Sequence, residues 1–110
     1  MTPRPDLIRI EDIIASIKKI EEYKDSLYLY EHDEYIRYVF FDAILYNLVI
    51  IGEAVRSLSN STKAQFRFNQ WAKVVGLRNN LVHRYAAIDR NLVLEILNEG
   101  LIDLKNALQG

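Results

Sequence analysis

Isoleucines at positions 10, 13, 14, 17 and 20 recur at steps of three and four residues, the spacing that keeps side chains on one face of an α-helix. The pattern predicts a first helix over residues 6–25. The LYLYEHD stretch then breaks it, and Asp33 is placed to cap a second helix. From 34 to 58 the chain is apolar nearly all round, through YVFFDAILYNLVIIGEAV, which predicts a helix buried on more than one side. Asp42, Asn47 and Glu53 interrupt this run and make it a poor membrane span. In a chain of 110 residues, a helix apolar on every face leads us to expect a second subunit over part of it. SLSNSTKAQFRFN is a polar break. A third helix is predicted over 70–85 with Asn69 as its cap, and a fourth over 90–108 with Asp89 as its cap. Val93, Ile96, Leu97, Leu101, Leu104 and Leu108 would line the inner face of the last. No stretch alternates with period two for long enough to suggest a sheet. The expected fold is all-α: a single domain over 1–110, an antiparallel bundle of four to five helices, paired as a homodimer.

Composition narrows the chemistry. The chain has no cysteine, which excludes disulfides and thiolate metal sites. Its two histidines lie in no carboxylate-rich ligand cluster, so neither a metal nor any other cofactor is expected. The opening MTPRPDLIRIED lacks a hydrophobic signal core, and a soluble cytoplasmic protein without membrane contact is the expectation. The net charge of −1 is unevenly spread. Residues 1–53 carry six Lys/Arg against eleven Asp/Glu. Residues 54–90 carry Arg56, Lys63, Arg67, Lys73, Arg78, Arg84 and Arg90 against Asp89 alone. Such a block is what a local anion-binding surface needs, although charge balance between neighbouring helices would produce it too.

Within that block, GLRNNLVHRYAAID contains an anomaly. With Arg78 at 0° on a helical wheel, Trp71, Val74, Val75, Leu81, Val82 and Tyr85 all fall within roughly 60° of it. An arginine at the centre of an apolar stripe is costly unless it is paired or functional. The structural explanation is an ion pair with Glu53 or Asp42, which share a face of the second helix. On the same reading His83 is a satisfied, partly buried histidine, Trp71 and Tyr85 are packing residues, and His32, in the acidic EHDE run, is a solvated surface residue.

The functional explanation groups Arg78, Asn79 and His83, which span an arc of about 140°. Arginine presents a planar fork of donors to two phosphate oxygens. Asparagine can orient a phosphate or hydroxyl. Histidine titrates near neutrality and moves a proton. With RNA as substrate, the ribose 2′-hydroxyl is an internal nucleophile, and its attack needs positioning, proton transfer and charge stabilisation. A single histidine serves such a reaction poorly, because one group must accept a proton while another donates one. A two-fold dimer would supply both.

The wider string is more specific. RNNLVHRY, an arginine, four residues, a histidine, one residue and a tyrosine, comes after Trp71 and Gly76 and precedes the Ile88–Asp89 pair that leads into the last helix. NLVIIGEAV stands upstream. Together these resemble the HepT-like family of HEPN domains, the toxin halves of nucleotidyltransferase–HEPN toxin–antitoxin pairs. The resemblance covers nearly the whole chain and is strongest over 47–89. It implies a dimerising helical bundle with both motif helices lining one cleft, and metal-independent endoribonuclease activity. It maps Arg78 and His83 to the catalytic pair, Asn79 to the polar residue next to the arginine, and Tyr85 to the tyrosine that the partner nucleotidyltransferase antitoxin modifies with AMP. Where the family often has glycine between histidine and tyrosine, this chain has Arg84, whose charge, with that of Lys73, is suited to gripping RNA. The resemblance also implies that the apolar stripe around Arg78 faces a partner subunit rather than a closed core. The competing reading is a non-catalytic helical subunit that binds nucleotide or presents substrate to a nucleotidyltransferase.

Overall fold

The computed structural model describes residues 2–109, and every element in it is helical. Helix α1 spans Arg4–Leu29 and α2 spans Glu34–Ser57. A single turn, α3, covers Asn60–Lys63, and α4 covers Trp71–His83. After a short 3₁₀ turn at Tyr85–Ala87 come α5 (Arg90–Ile96), a π-helical segment at Leu97–Leu101 and α6 (Ile102–Gln109). The long helices α1 and α2 pack antiparallel, α4 lies along α2, and α6 returns to α1. The core between them is built from Ile13, Ile17 and Ile20 of α1 and Ile44, Leu48, Ile51 and Val55 of α2. Leu81, Val93, Leu97, Leu101 and Leu104 close it. The isoleucine stepping thus faces where its period says.

Caps fix the element starts. Asp33 accepts a hydrogen bond from the Ile36 amide at 3.1 Å, and Asp89 accepts from those of Asn91 and Leu92. Asn69 does not cap the third helix: the helix begins one residue later behind Gln70, and Asn69 Oδ1 instead accepts from the Gln70 side chain. The first helix runs beyond 6–25 at both ends, since a proline in its first turn has no amide to leave unpaired and residues 27–29 continue the helix up to the Tyr30 cap. The third ends at His83 rather than at Tyr85. In the last segment Val93, Leu97 and Leu101 are spaced by four, which overruns a 3.6-residue turn. The wider π turn there keeps both leucines inward and leaves Ile96, expected inside, 42% exposed.

One polar cluster ties the start of α1 to the junction between α2 and α3. Asp6 is buried, and its carboxylate accepts from the Ser59 and Thr62 hydroxyls at 2.6 and 2.5 Å. These hydrogen bonds, Ser59 first, hold its pKa below the usual carboxylate value. A carboxyl depressed on folding stabilises the fold above its unfolded pKa, and that contribution disappears as pH falls through the folded value. D6N should therefore unfold at lower urea than wild type at neutral pH, and the gap should narrow as pH falls from about 5 to 2. A gap that stays constant across that range would contradict this role.

Helix α2 has the length and apolarity of a membrane span, yet half of that window is buried against the other helices. Its remaining face is not fully covered. Tyr35, Tyr38, Val39 and Tyr46 stay exposed, and they fall within about 60° of Asp42 on the helical wheel, as does Glu53.

Candidate functional site

The site is organised by the seam between α2 and α4. Gly52 is buried at this seam, and a Cβ on it would overlap Cβ and Cγ of Arg78. The absence of a side chain lets the stem of Arg78 lie directly on α2, which places its guanidinium against the next residue, Glu53. Nη2 of Arg78 forms an ion pair with Glu53 Oε1, and Nη1 donates to Asn79 Oδ1 at 2.9 Å. The arginine side chain is only 18% exposed, while that of Glu53 is 45% exposed. Arg78 Nε is buried without an acceptor. An arginine so enclosed would be costly unpaired; the carboxylate offsets that cost and fixes the direction of the fork.

The anomaly in the apolar stripe therefore has a structural component. Leu81 and the stem of Arg78 pack within the same chain while Val82 and Tyr85 of the stripe stay exposed, and of the two carboxylates expected as partners it is Glu53 that pairs. Asp42 has another role. It accepts a hydrogen bond from the Tyr85 hydroxyl at 2.6 Å. Because α4 stops at His83, Tyr85 sits in the 3₁₀ turn beyond it and reaches Asp42 from that turn. Asp42 and Glu53 are separated by roughly 16 Å of helical rise, so one chain holds the Tyr85 hydroxyl and the Arg78 guanidinium at different levels of α2.

His83 closes α4 with its side chain exposed and, among the described residues, forms no hydrogen bond or ion pair. It is not the partly buried, satisfied histidine of the structural explanation. Its direction, about 140° from Arg78, turns it away from the α2 seam. Within a single chain Arg78 and Asn79 are brought together and His83 is not. Lys73 and Arg84 are exposed on the same helix and at its end. Trp71 packs edge-on against Phe68 at 4.7 Å between ring centres, as a packing residue should. His32 is exposed beside Glu31. Among the described residues no three His, Asp or Glu side chains gather as a metal-ligand group.

Two residues that sequence reasoning left without a role, Gly52 and Arg90, and a third given a different one, Asp42, shape this seam. Gly52 permits the close approach. Asp42 holds the Tyr85 hydroxyl, burial and the carboxylate charge adding to that hydrogen bond in raising the phenol's pKa. Arg90 lies with its guanidinium carbon 3.9 Å above the Tyr38 ring and near enough to Tyr85 for its charge to act in the opposite sense.

The family described as "Ribonuclease HepT-like" matches residues 13–110. Over 100 residues the chain is 33% identical to "Putative RNase MJ1380" of Methanocaldococcus jannaschii, spanning 89% of this chain and 88% of that protein. It is 26% identical over 102 residues to "Probable ribonuclease HepT" of Thermococcus cleftensis, spanning 91% and 89% of the two. A second M. jannaschii protein, "Gamma-glutamylcyclotransferase and putative RNase MJ0434", is 28% identical over 102 residues, and the match spans 45% of its length. No solved structure matches the chain. With its helical bundle and the Arg78–His83 helix seated on Gly52 and Glu53, this chain belongs to the HepT-like ribonuclease family.

Proposed function

We propose that this protein is a metal-independent endoribonuclease, the toxin of a toxin–antitoxin pair, and that it acts in the cytoplasm as a homodimer. The observation that carries the reading is the contrast on α4. Arg78 is anchored and oriented by Glu53, while His83, five residues on, is exposed and unengaged among the described residues. An oriented guanidinium suits a phosphate whose charge grows in the transition state. A free imidazole suits proton transfer from the attacking 2′-hydroxyl or to the leaving 5′-oxygen. Asn79, on the Arg78 fork, can orient the phosphate, and Lys73 and Arg84 offer charge to flanking phosphates.

Because the two side chains diverge within one chain, a second copy must complete the cleft. The exposed Tyr35, Tyr38, Val39 and Tyr46 stripe of α2, next to α4, favours such pairing. Sedimentation should show a dimer at micromolar concentration, and a monomer alone would count against the shared cleft.

A partner nucleotidyltransferase inactivates the enzyme by transferring AMP to Tyr85. The phenol is 53% exposed in a turn at the end of the motif helix, where another protein can reach it. The adduct would add a nucleobase and a negative charge beside the surface that must receive RNA. Intact mass after co-expression with a cognate nucleotidyltransferase should show AMP additions on wild type and none on Y85F. The Y85F protein should keep cleaving RNA in the presence of that partner. AMP on another residue, or equal silencing of Y85F by the same modification, would overturn this assignment.

The non-catalytic alternative draws on the ion pair itself, because an Arg78 neutralised by Glu53 also describes a structural arginine. RNA digestion separates the two readings: a scaffold cleaves nothing.

A further inference from the structure

The hydrogen bond from Tyr85 to Asp42 joins residues 43 apart in sequence, across the end of α4 and the middle of α2. It is not a requirement of a dry core, since both residues are exposed and water would satisfy either group. What gathers there is a nucleophilic hydroxyl, a carboxylate on its oxygen, and the Arg90 cation stacked over Tyr38 and 5.1 Å from the Phe41 ring. This grouping is separate from the Arg78–Glu53 pair.

We propose that Asp42 is the general base for nucleotidyl transfer to Tyr85, a role that rests on the reading of Tyr85 as the modified residue. In the step, Tyr85 Oη attacks the α-phosphorus of ATP held by the partner enzyme. The bond from that phosphorus to the oxygen bridging the β-phosphate breaks, and pyrophosphate leaves with the electron pair. The phenolic proton passes to Asp42 Oδ1, which releases it to water after the tyrosyl–AMP diester has formed. Hydrogen bonding to Asp42 holds the resting phenol neutral and raises its pKa. Ionisation ahead of attack is thereby disfavoured, and proton removal belongs in the transition state, where a positioned base is effective. Arg90, whose charge favours the phenolate, stands beside the new phosphodiester.

A purely structural contact would tie the turn after α4 to α2 and do nothing else. D42N tests the difference, because the amide oxygen still accepts the hydrogen bond but the basicity is gone. Asp42 is exposed, so the substitution leaves the core intact. Transfer of AMP from ATP by the purified partner nucleotidyltransferase would be timed by intact mass across neutral pH. Wild type should be modified on Tyr85 at a nearly level rate, because the proton passes to a positioned base rather than to solvent. D42N should be slower by about 100-fold at neutrality, with a rate that climbs as pH approaches the phenol's own ionisation. Equal rates and equal pH profiles for the two proteins, with Tyr85 modified in both, would overturn the role of Asp42 alone. Failure of wild type to accept AMP on Tyr85 would overturn the underlying reading as well.

Discussion

H83A should lower RNA cleavage by at least about 100-fold without unfolding the protein. His83 is exposed at the last position of α4 and engages no other described side chain, so its loss should change stability by no more than about 0.5 kcal/mol. Its value lies in the proton it can carry, and alanine carries none. R78A should lose comparable activity for a different reason. It removes the oriented fork and leaves Glu53 half-exposed without its cation. R78K separates the two contributions, because lysine keeps the charge but cannot present two parallel donors to a phosphate. Its activity should fall between wild type and R78A. Circular dichroism and urea unfolding check the fold, and a defined RNA substrate checks the rate. An H83A protein with near wild-type cleavage would remove the histidine from the mechanism.

G52A should reduce both stability and cleavage, although alanine is the better helix former. In an exposed helix interior the change from glycine would gain about 1 kcal/mol. Here the added Cβ meets the Cβ and Cγ of Arg78, which lie close to the backbone and cannot swing aside as the tip of a flexible chain would. Overpacking of a tight contact costs about 1–3 kcal/mol, so the clash outweighs the propensity. Helix α4 must shift from α2, and the Arg78 guanidinium then loses its registration with Glu53. The urea midpoint should fall, and cleavage should fall further than the stability loss alone accounts for. G76A offers the contrast: nothing lies within 4 Å of a Cβ at Gly76, so that change should be neutral or stabilising. A G52A protein as stable and active as wild type would show that the close approach is dispensable.

The sequence carried the long helices legibly because burial imposes a period on them. The isoleucines of α1 step along the face that meets α2, and the leucines after Asp89 do the same for the last segment. The capping of α2 and α5 could be read because Asp33 and Asp89 each stand directly before the first turn, where a carboxylate can accept from its free amides. The end of α4 was not legible. Arg84, Tyr85 and Ala86 contain no glycine or proline, and helical periodicity runs through them, yet the chain turns after His83. That one boundary decides where Tyr85 points, which is why its contact with Asp42 could not be foreseen. Glu53 was among the two carboxylates expected near Arg78, but choosing between them required the register of α4 on α2, which Gly52 sets by its missing side chain. The IGEA string thus marks a packing device, and its chemistry becomes visible only when Arg78 is laid upon it.

The most direct test of the central claim is the nature of the ends left on cleaved RNA. A defined oligoribonucleotide would be digested by purified wild type in excess chelator, and the products identified by mass. Attack by the 2′-hydroxyl, positioned by Arg78 and served by His83, predicts cleavage at an undiminished rate with 2′,3′-cyclic phosphate and 5′-hydroxyl ends. Loss of cleavage on chelation, or ends carrying 3′-hydroxyl and 5′-phosphate, would contradict it.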